Sequence, residues 1–188
     1  MQNKGLVECI INKLRSRKPV TVTVDFSCLD KVMQDDMRVI WGWDKGILEL
    51  KAAEDMTSEF DKANPDVKQK LKEQYLRLSK LKPSPGASFD QCMFNEVAFD
   101  EPPTMRDGKD VNYYFAEFKK LMFPEGLRSE NDFYDVMHIS IHYLFSRDVF
   151  LTRNLRHFDP DKLQEKFKDL VILTPQQFLN LLNDALAH

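Results

Sequence analysis

The alternation of helical and strand patterns after residue 128 is the feature that most constrains how this chain folds. The segment "SENDFYDVMHISIHYLFSRD" has a helical pattern and begins with the Ser-x-x-Asp form of a capping box. Two short apolar strands, "DVFLT" and "LVIL", flank the helical segment "DPDKLQEKFKD", and "TPQQFLNLLNDALA" predicts a last helix with a proline in its first turn. Strands that alternate with helices predict a parallel sheet that is covered on both faces.

The first half of the chain follows the same plan. In "KPVTVTVDFSCLDKVM", valine and threonine alternate as in a strand, and the pattern breaks at Asp25. A second strand is predicted at Ile47–Lys51, after a turn at Gly46, and a helix from about Ala53. The segment "NPDVKQKLKEQYLRLSKLKP" predicts a further helix that stops before Pro83, with asparagine as its N-cap and proline at its first position. The N-terminal segment "MQNKGLVECIINKLRSRKPV" predicts a short amphipathic helix.

We therefore predict a single domain over residues 1–188, with a three-layer α/β/α architecture around a central, mainly parallel sheet of four to five strands. The region at about 83–128 does not follow the alternation, because it is rich in proline, glycine and aspartate. We interpret it as an insertion or long loop that contains one helix near 111–121, packed on the same core. The sequence is compatible with two roles for this region, a lid over a site and a dimer contact.

The composition is that of a soluble globular protein, with 43% hydrophobic and 30% charged residues. No stretch approaches the ~20 apolar residues that a membrane span needs, so no membrane association is expected. The three cysteines lack CxxC spacing, which indicates neither a disulfide framework nor a zinc site and favours a reducing, cytoplasmic location. The formal net charge of −3 argues against wholly electrostatic binding of nucleic acid, although a local basic patch is compatible with it.

Polar residues stand where the predicted strands end, and ligands of parallel sheets bind at the carboxyl ends of the strands. Asp25 ends the first strand, and Thr152 with Asn154 ends the strand "DVFLT". Asp135 lies in the first turns of the preceding helix, and Glu59 lies in the helix after the second strand. Gathered carboxylates repel each other unless a cation or protons neutralise them, and Mg²⁺ prefers oxygen ligands. The pattern is compatible with a metal site for phosphoryl transfer, and also with acidic helix caps.

Four segments of the chain resemble the PIN domain, a family of metal-dependent nucleases that includes many toxins of bacterial toxin–antitoxin pairs. "VTVDFSCL" is similar to the family's opening strand with Asp-x-Ser/Asn, and "GILELKAAEDMTSEF" to its strand and helix with an internal glutamate. "DVMHISIHYLFSRDVFLTRNLRHF" is similar to its Asp-x-x-His/Ile helix and strand-Thr-x-Asn/Asp turn, and "VILTPQQFL" to its closing strand. The resemblance covers roughly residues 20–62 and 129–183 and implies a PIN-like fold.

The resemblance implies a role for each matching position. The hydroxyls of Ser27 and Thr152 would orient a carboxylate or a water, and Asn154 stands where many relatives carry a fourth acidic group. An amide there supplies an oxygen but no charge, so the site would hold three carboxylates. The ligands of Mg²⁺ or Mn²⁺ would be Asp25, Glu59 and Asp135, and the catalytic set would be Asp25, Glu59, Asp135, Thr152 and Asn154.

Each acidic residue also has a structural interpretation. Asp25 could form a turn, and Asp135 could be a negative charge placed favourably near a helix N-terminus. Asp132 could share the site or cap its helix. Glu59 has acidic neighbours that could replace it in the site or form a solvated face with it, namely Glu54, Asp55 and Asp61.

The basic and aromatic residues near these motifs also have two interpretations each. His138 and His142 are spaced to bind zinc on one helix face, or one packs beside the acidic site and the other faces the sheet. Four side chains could contact a phosphate backbone at the mouth of the site or be solvated surface residues, namely Arg147, Arg153, Arg156 and His157. Trp41 and Trp43 could stack on a base or anchor an edge of the core.

Three functions from different classes are compatible with these residues. The first is a Mg²⁺- or Mn²⁺-dependent endoribonuclease of PIN type, whose partners would be RNA and, as the resemblance allows, a protein inhibitor or antitoxin and a second copy of the chain. The second is a catalytically weak PIN-like scaffold that binds RNA or a protein partner. The third is a phosphatase with Asp25 as nucleophile, but such enzymes need a second aspartate two residues later, where this chain has Ser27.

Overall fold

The computed structural model of the protein describes residues 4–29, 39, 42, 45–53, 65–81 and 105–186. In chain order these residues form the following elements: α1 (Lys4–Arg15), β1 (Val20–Val24), a 3-10 turn (Phe26–Cys28), β2 (Leu48–Ala53), α2 (Pro65–Arg77), β3 (Ser79–Leu81), α3 (Val111–Met122), α4 (Glu130–Leu144), β4 (Val149–Leu151), α5 (Pro160–Lys166), β5 (Ile172–Leu173) and α6 (Pro175–Leu186).

The strands form one five-stranded sheet in the order β3-β2-β1-β4-β5, and every neighbouring pair is parallel. The order reverses between β1 and β4, whose pairing aligns Val24 with Leu151. At such a reversal the loops that leave two neighbouring strands diverge and open a crevice at the carboxyl edge of the sheet. This edge is where Asp25 and Thr152 follow their strands.

Alternate residues of the strands enter two separate cores. Val20, Val22 and Val24 of β1 face a cluster that is completed by α1, α6 and side chains of α2. Phe150 of β4 and Ile172 of β5 face the other cluster, with α3, α4 and α5. Each face of the sheet is thus covered by helices, which confirms the predicted three-layer α/β/α architecture with a parallel sheet.

The sequence misplaced two element boundaries. A helix was expected from about Ala53, but β2 continues through Ala53 by pairing with β3, and residues 54–64 lie outside the described residues. The helix expected to reach Pro83 ends at Arg77, and Ser79–Leu81 is a strand. "SKL" lacks the β-branched and aromatic residues that signal a strand, so only the pairing with β2 reveals it.

The region predicted as an insertion at about 83–128 is described from residue 105 onward. The helix expected near 111–121 is α3, and the side chain of Asp110 caps it by accepting a hydrogen bond from the backbone N–H of Tyr113. Phe118 of α3 is fully buried against the same core as α4. Among the described helices, none is both long and apolar enough to span a bilayer.

Candidate functional site

Asp25 lies directly after β1, and its carboxylate is held in place by two hydroxyls. The backbone N–H of Asp25 still donates to Leu151 O at 2.9 Å, so the residue remains part of the sheet edge. Ser27 Oγ donates to Asp25 Oδ2 at 2.5 Å, and Thr152 Oγ1 donates to the same oxygen at 2.8 Å. The residue is 4% exposed. The orienting roles predicted for Ser27 and Thr152 therefore match contacts that both make with one carboxylate oxygen.

The surroundings of Asp25 favour its ionised form. Burial alone would raise the pKa of the carboxyl, but neighbouring groups outweigh burial and hold the pKa below its usual value. These neighbours are His138, through a hydrogen bond and its charge, and the hydroxyls of Ser27 and Thr152. Asp25 is therefore a carboxylate at neutral pH although it is almost fully buried.

Asp135 reaches the same place from the second turn of α4. Its helix starts with the predicted capping box, in which Ser129 accepts from the backbone N–H of Asp132 and Asp132 accepts from that of Ser129. Asp135 Oδ2 accepts a hydrogen bond from Asn154 Nδ2 at 3.1 Å and lies 2.6 Å from His157 Nδ1. With the carboxylate ionised, His157 Nδ1 carries the proton and donates to it.

Asp135 differs from Asp25 in its acidity. Burial, and then the negative charge of Asp25, raise the pKa of Asp135 to about 6, although the hydrogen bond from His157 works in the opposite direction. The charge of Asp25 acts on Asp135 because the two carboxyls share one neighbourhood. A short chain of contacts joins them: Thr152 Oγ1 donates to Asp25 and accepts from the backbone N–H of Asn154 at 3.0 Å, and the Asn154 side chain donates to Asp135.

The two histidines of α4 make separate contacts. His138 Nδ1 lies 3.6 Å from Asp25 Oδ1, whereas His142 Nδ1 lies 2.9 Å from Thr23 Oγ1, on the preceding inward-facing residue of β1. Both imidazoles are buried, with 0% and 1% of their surface exposed. One histidine therefore packs beside the acidic site and the other faces the sheet, which is the alternative to a zinc pair.

Asp132 caps its helix. Its Oδ2 accepts from the backbone N–H groups of Arg128 and Ser129, at 2.8 and 3.2 Å. Those bonds lower the pKa of Asp132, against the effect of burial. Glu59, the third predicted ligand, lies outside the described residues, as do its acidic neighbours Glu54, Asp55 and Asp61 and the tryptophans Trp41 and Trp43.

Of the three arginines near the motifs, Arg147 has neither of the two roles that were predicted for it. Arg156 is exposed, as expected of either a surface residue or a phosphate contact. Arg153 is exposed too, but its backbone N–H donates to Ser27 Oγ at 3.1 Å and its guanidinium donates to Ser27 O, which ties the loop after β4 to the turn after β1. Arg147 is neither at the mouth of the site nor solvated, so both interpretations were wrong. It is 8% exposed at the opposite edge of the sheet, where it donates to Val22 O and Glu49 O.

His157 was predicted as a substrate contact. It also lies against Asp135, and its side chain is 28% exposed. The turn that begins at Asn154 brings it there, since the backbone N–H groups of His157 and Phe158 both donate to Asn154 O at 3.1 Å. Phe123, at the end of α3, packs edge-on against the His157 ring with centroids 5.2 Å apart. The Asn-x-x-His spacing was visible in the sequence, but Phe123 comes from the region that it left unassigned.

The donor set at this edge fits a hard divalent cation. Mg²⁺ is usually bound through one or two carboxylates and keeps several waters, and the described residues provide two carboxylates. In Asp25 and in Asp135, the Oδ2 atom accepts hydrogen bonds from neighbouring side chains. Among the described residues, no hydrogen bond is donated to Oδ1 of Asp135, so this oxygen is available to a ligand. Within the same residues no group of three His, Cys, Asp or Glu side chains is placed to hold a metal by itself. The site is therefore a two-carboxylate site as far as the structure describes it.

Comparison of this chain with protein-family models, with curated proteins and with solved structures finds no match to any of them.

Proposed function

We propose that the protein is a Mg²⁺- or Mn²⁺-dependent endoribonuclease of PIN type that hydrolyses RNA phosphodiesters. The observation that carries the proposal is the convergence of Asp25 and Asp135, 110 positions apart in the sequence, at the point where the strand order reverses. Two buried carboxylates that raise each other's energy are a costly arrangement for a fold unless a cation or a proton resides between them. A perturbed carboxyl pKa in such a crevice is typical of functional sites.

The proposal gives each group of the site a task. Asp25 and Asp135 would hold the ion, with Glu59 as a third acid. A bound divalent ion would offset the negative charge of the phosphodiester and lower the pKa of an attacking water. Ser27 and Thr152 keep the Asp25 carboxylate in one orientation, and Asn154 and His157 do so for Asp135. Such supporting bonds hold catalytic groups in a productive geometry before substrate arrives.

The substrate would reach this site past exposed basic groups. Arg156 is exposed on the turn that follows β4, and the guanidinium of Arg153 is held against the 3-10 turn by Ser27 O. Arginine recognises phosphate oxygens through paired N–H groups, so these two side chains are suited to position an RNA backbone. The His157 side chain, which lies against Asp135, is 28% exposed.

The proposal is tested by metal-dependent cleavage of RNA. We expect metal-stripped protein to be inactive on labelled single-stranded and structured RNA, and Mg²⁺ or Mn²⁺ to restore cleavage. Asp25→Asn and Asp135→Asn should each lose at least about 100-fold of that activity, because loss even of a supporting partner of a metal ligand typically costs 10- to 100-fold. Asp184→Asn, the same change on the exposed side of α6, serves as the matched control for contamination and handling. Equal activity of Asp25→Asn and wild type would contradict the proposal.

One observation favours a second candidate, a catalytically weak scaffold that binds RNA or a protein partner. The described residues contain no three-ligand group, and the imidazole of His157 already engages one of the two carboxylates. Calorimetry separates the candidates. Binding of Mn²⁺ that is lost in Asp135→Asn supports the nuclease, whereas RNA binding without any Mn²⁺ binding at millimolar concentration supports the scaffold.

A further inference from the structure

Thr21 and Thr23 of β1, and Asp25 directly after the strand, each meet a polar side chain of α4 or of the segment that follows it. Thr21 Oγ1 donates to Asp148 Oδ2 at 3.0 Å and accepts from the Asp148 backbone N–H at 2.9 Å. The next two contacts are the 2.9 Å contact of Thr23 with His142 and the 3.6 Å approach of Asp25 to His138. We call these three contacts the polar ladder. Its partners are more than 100 positions apart in the sequence, so folding alone brings them together.

The spacing of the polar ladder follows from the dimensions of strand and helix. Two residues of a parallel strand advance by roughly 6.6 Å, and four residues of an α-helix advance by roughly 6.0 Å. A helix that runs antiparallel to the strand therefore presents one side chain per turn to every second strand residue. His142 and His138 are one turn apart and meet Thr23 and Asp25 in that order. Asp135 lies three residues further along the same helix, roughly 4.5 Å beyond His138.

The middle contact differs from the surrounding packing in being directional. Thr23 is 0% exposed and His142 is 1% exposed, so no water can replace their hydrogen bond. Its immediate neighbours include an apolar contact, in which the His142 ring lies edge-on to Phe150 of β4 at 5.3 Å. Apolar contact is non-directional and permits a helix to slide, whereas a hydrogen bond weakens steeply when its distance or angle changes. Burial, and then the charges of Arg147 and Arg106, hold the pKa of His142 well below its ordinary value, so this is a contact between neutral groups.

We propose that Thr23 and His142 are positioning residues: their buried hydrogen bond fixes where α4 lies along β1, and thereby sets the separation of the Asp25 and Asp135 carboxylates. Asp25 belongs to the strand and Asp135 to the helix, so any sliding of one element on the other changes that separation directly. A misplacement of about 1 Å at a reacting centre can cost about 100-fold in rate. The link to catalysis rests on the proposed nuclease function, whereas the link to carboxylate separation does not.

The test uses a pair of substitutions that removes the bond without leaving a buried polar atom unpaired. Replacing both partners of a buried hydrogen bond by apolar groups of similar shape is nearly neutral for stability, whereas removing one partner is costly. We therefore expect Thr23→Val alone to lower the melting temperature, and Thr23→Val combined with His142→Phe to restore it to within a few degrees of wild type. The double variant should nevertheless bind Mn²⁺ about 10- to 100-fold more weakly. Thr23→Ser, which keeps the hydroxyl, should bind Mn²⁺ as wild type does.

Crystal structures of the metal-free wild type and double variant provide a readout that needs no activity. We expect the distance between the two carboxyl carbons to change by about 0.5 Å or more, the tolerance within which functional groups are usually held. A double variant that keeps the wild-type distance and Mn²⁺ affinity would overturn the inference, because the bond would then be merely structural. If the wild type neither binds Mn²⁺ nor cleaves RNA, the proposed function fails, and the carboxylate distance still decides whether the bond positions the helix.

Discussion

Buried charges have different neighbours at the two ends of the strands, the amino edge and the carboxyl edge of the sheet. At the amino edge, the Arg147 side chain is 5% exposed, and its guanidinium donates to Val22 O, Glu49 O and the Glu49 carboxylate. Nearby, Lys13 pairs with Asp148 at 2.5 Å. At the carboxyl edge, Asp25 and Asp135 lie together, and among the described residues no lysine or arginine pairs with either of them.

This difference distinguishes buried charges that stabilise the fold from buried charges that do not. At the amino edge Arg147 and Lys13 each meet an opposite charge or a carbonyl, so this arrangement stabilises the fold. At the carboxyl edge the described partners of the two acids are hydroxyl, amide and imidazole groups, and burial together with the charge of Asp25 raises the pKa of Asp135 to about 6. The fold retains an unfavourable interaction there, as proteins commonly do at functional sites. Substitutions at the two edges should therefore change different quantities.

The largest effect is expected from Arg147→Met. Methionine fills a similar volume but leaves the buried carbonyl oxygens of Val22 and Glu49 without their donor, which should lower the free energy of unfolding by about 3 kcal/mol. Urea unfolding measures the loss, and calorimetry of the folded variant should show unchanged Mn²⁺ affinity. Lys13→Met is the control at the same edge, and its partly exposed ion pair should be worth at most about 1 kcal/mol. A large loss of Mn²⁺ affinity in Arg147→Met would show that the two edges are not independent.

A smaller effect is expected from Asp135→Asn, which should stabilise the metal-free protein relative to wild type as the pH rises. The folded pKa of Asp135, about 6, lies above its ordinary value of 3.8, so the native state binds the extra proton and loses stability as pH rises through this window. Asparagine does not titrate. The free energy of unfolding of the variant, relative to that of wild type, should therefore increase by about 2 kcal/mol as the pH rises from 4.5 to 7.5. Urea unfolding with EDTA at several pH values measures this change.

Asp25→Asn is the matched comparison for that series. The folded pKa of Asp25 is lowered, so its contribution to stability is present above the unfolded pKa and is lost only at lower pH. Its difference from wild type should change less between pH 4.5 and pH 7.5 than that of Asp135→Asn, because the charge of Asp25 causes only part of the rise in the Asp135 pKa and burial causes the rest. A constant difference for Asp135→Asn would show that Asp135 is not destabilised by its surroundings.

An intermediate effect is expected from Asn154→Asp, which places a third carboxylate beside Asp135. The added charge should lower the free energy of unfolding of the metal-free protein by about 1 kcal/mol at pH 7.5 and tighten Mn²⁺ binding about tenfold. Calorimetry and urea unfolding measure the two changes, with Asn183→Asp on the exposed side of α6 as the control. If the substitution destabilises the protein but does not tighten Mn²⁺ binding, the carboxylates are not gathered around a cation.

The smallest effect on the fold is expected from Arg156→Gln, because the side chain is exposed. Its free energy of unfolding should stay within about 0.5 kcal/mol of wild type. If the arginine contacts a phosphate, the slope of log binding constant against log salt for single-stranded RNA should fall by about 0.7, measured by anisotropy in the inactive Asp25→Asn background. Lys18→Gln, near the amino edge, should leave the slope unchanged, and an equal decrease in both variants would argue against a defined RNA path.

Local patterns predicted the parts of this protein that local physics determines. The Val-Thr alternation of β1, the capping box of α4 and the helix at Val111–Met122 are properties of neighbouring residues, and they were found. β3 was missed because its pairing with β2, not its composition, makes it a strand. Arg147 was misassigned for the same reason, since its partners on β1 and β2 are 125 and 98 positions away.

The sequence predicted the contacts around Asp25 but not those around Asp135. Asp25 and Thr152 follow adjacent parallel strands, so the topology sufficed to place them together. The bond between His157 and Asp135 depends on how the turn after β4 folds over α4, which no periodicity encodes. The PIN resemblance and the nuclease activity stay predictions.

The pairing of β1 with β4 has a consequence for the time at which the site forms during synthesis. β1 is translated more than 100 codons before its neighbour at Val149–Leu151 and before Thr152 and Asn154, which donate to Asp25 and Asp135. A nascent chain that stops before this strand has both aspartates but neither Thr152 nor Asn154 to hold them. The two carboxylates are therefore not held together until β4 and the turn after it have been synthesised.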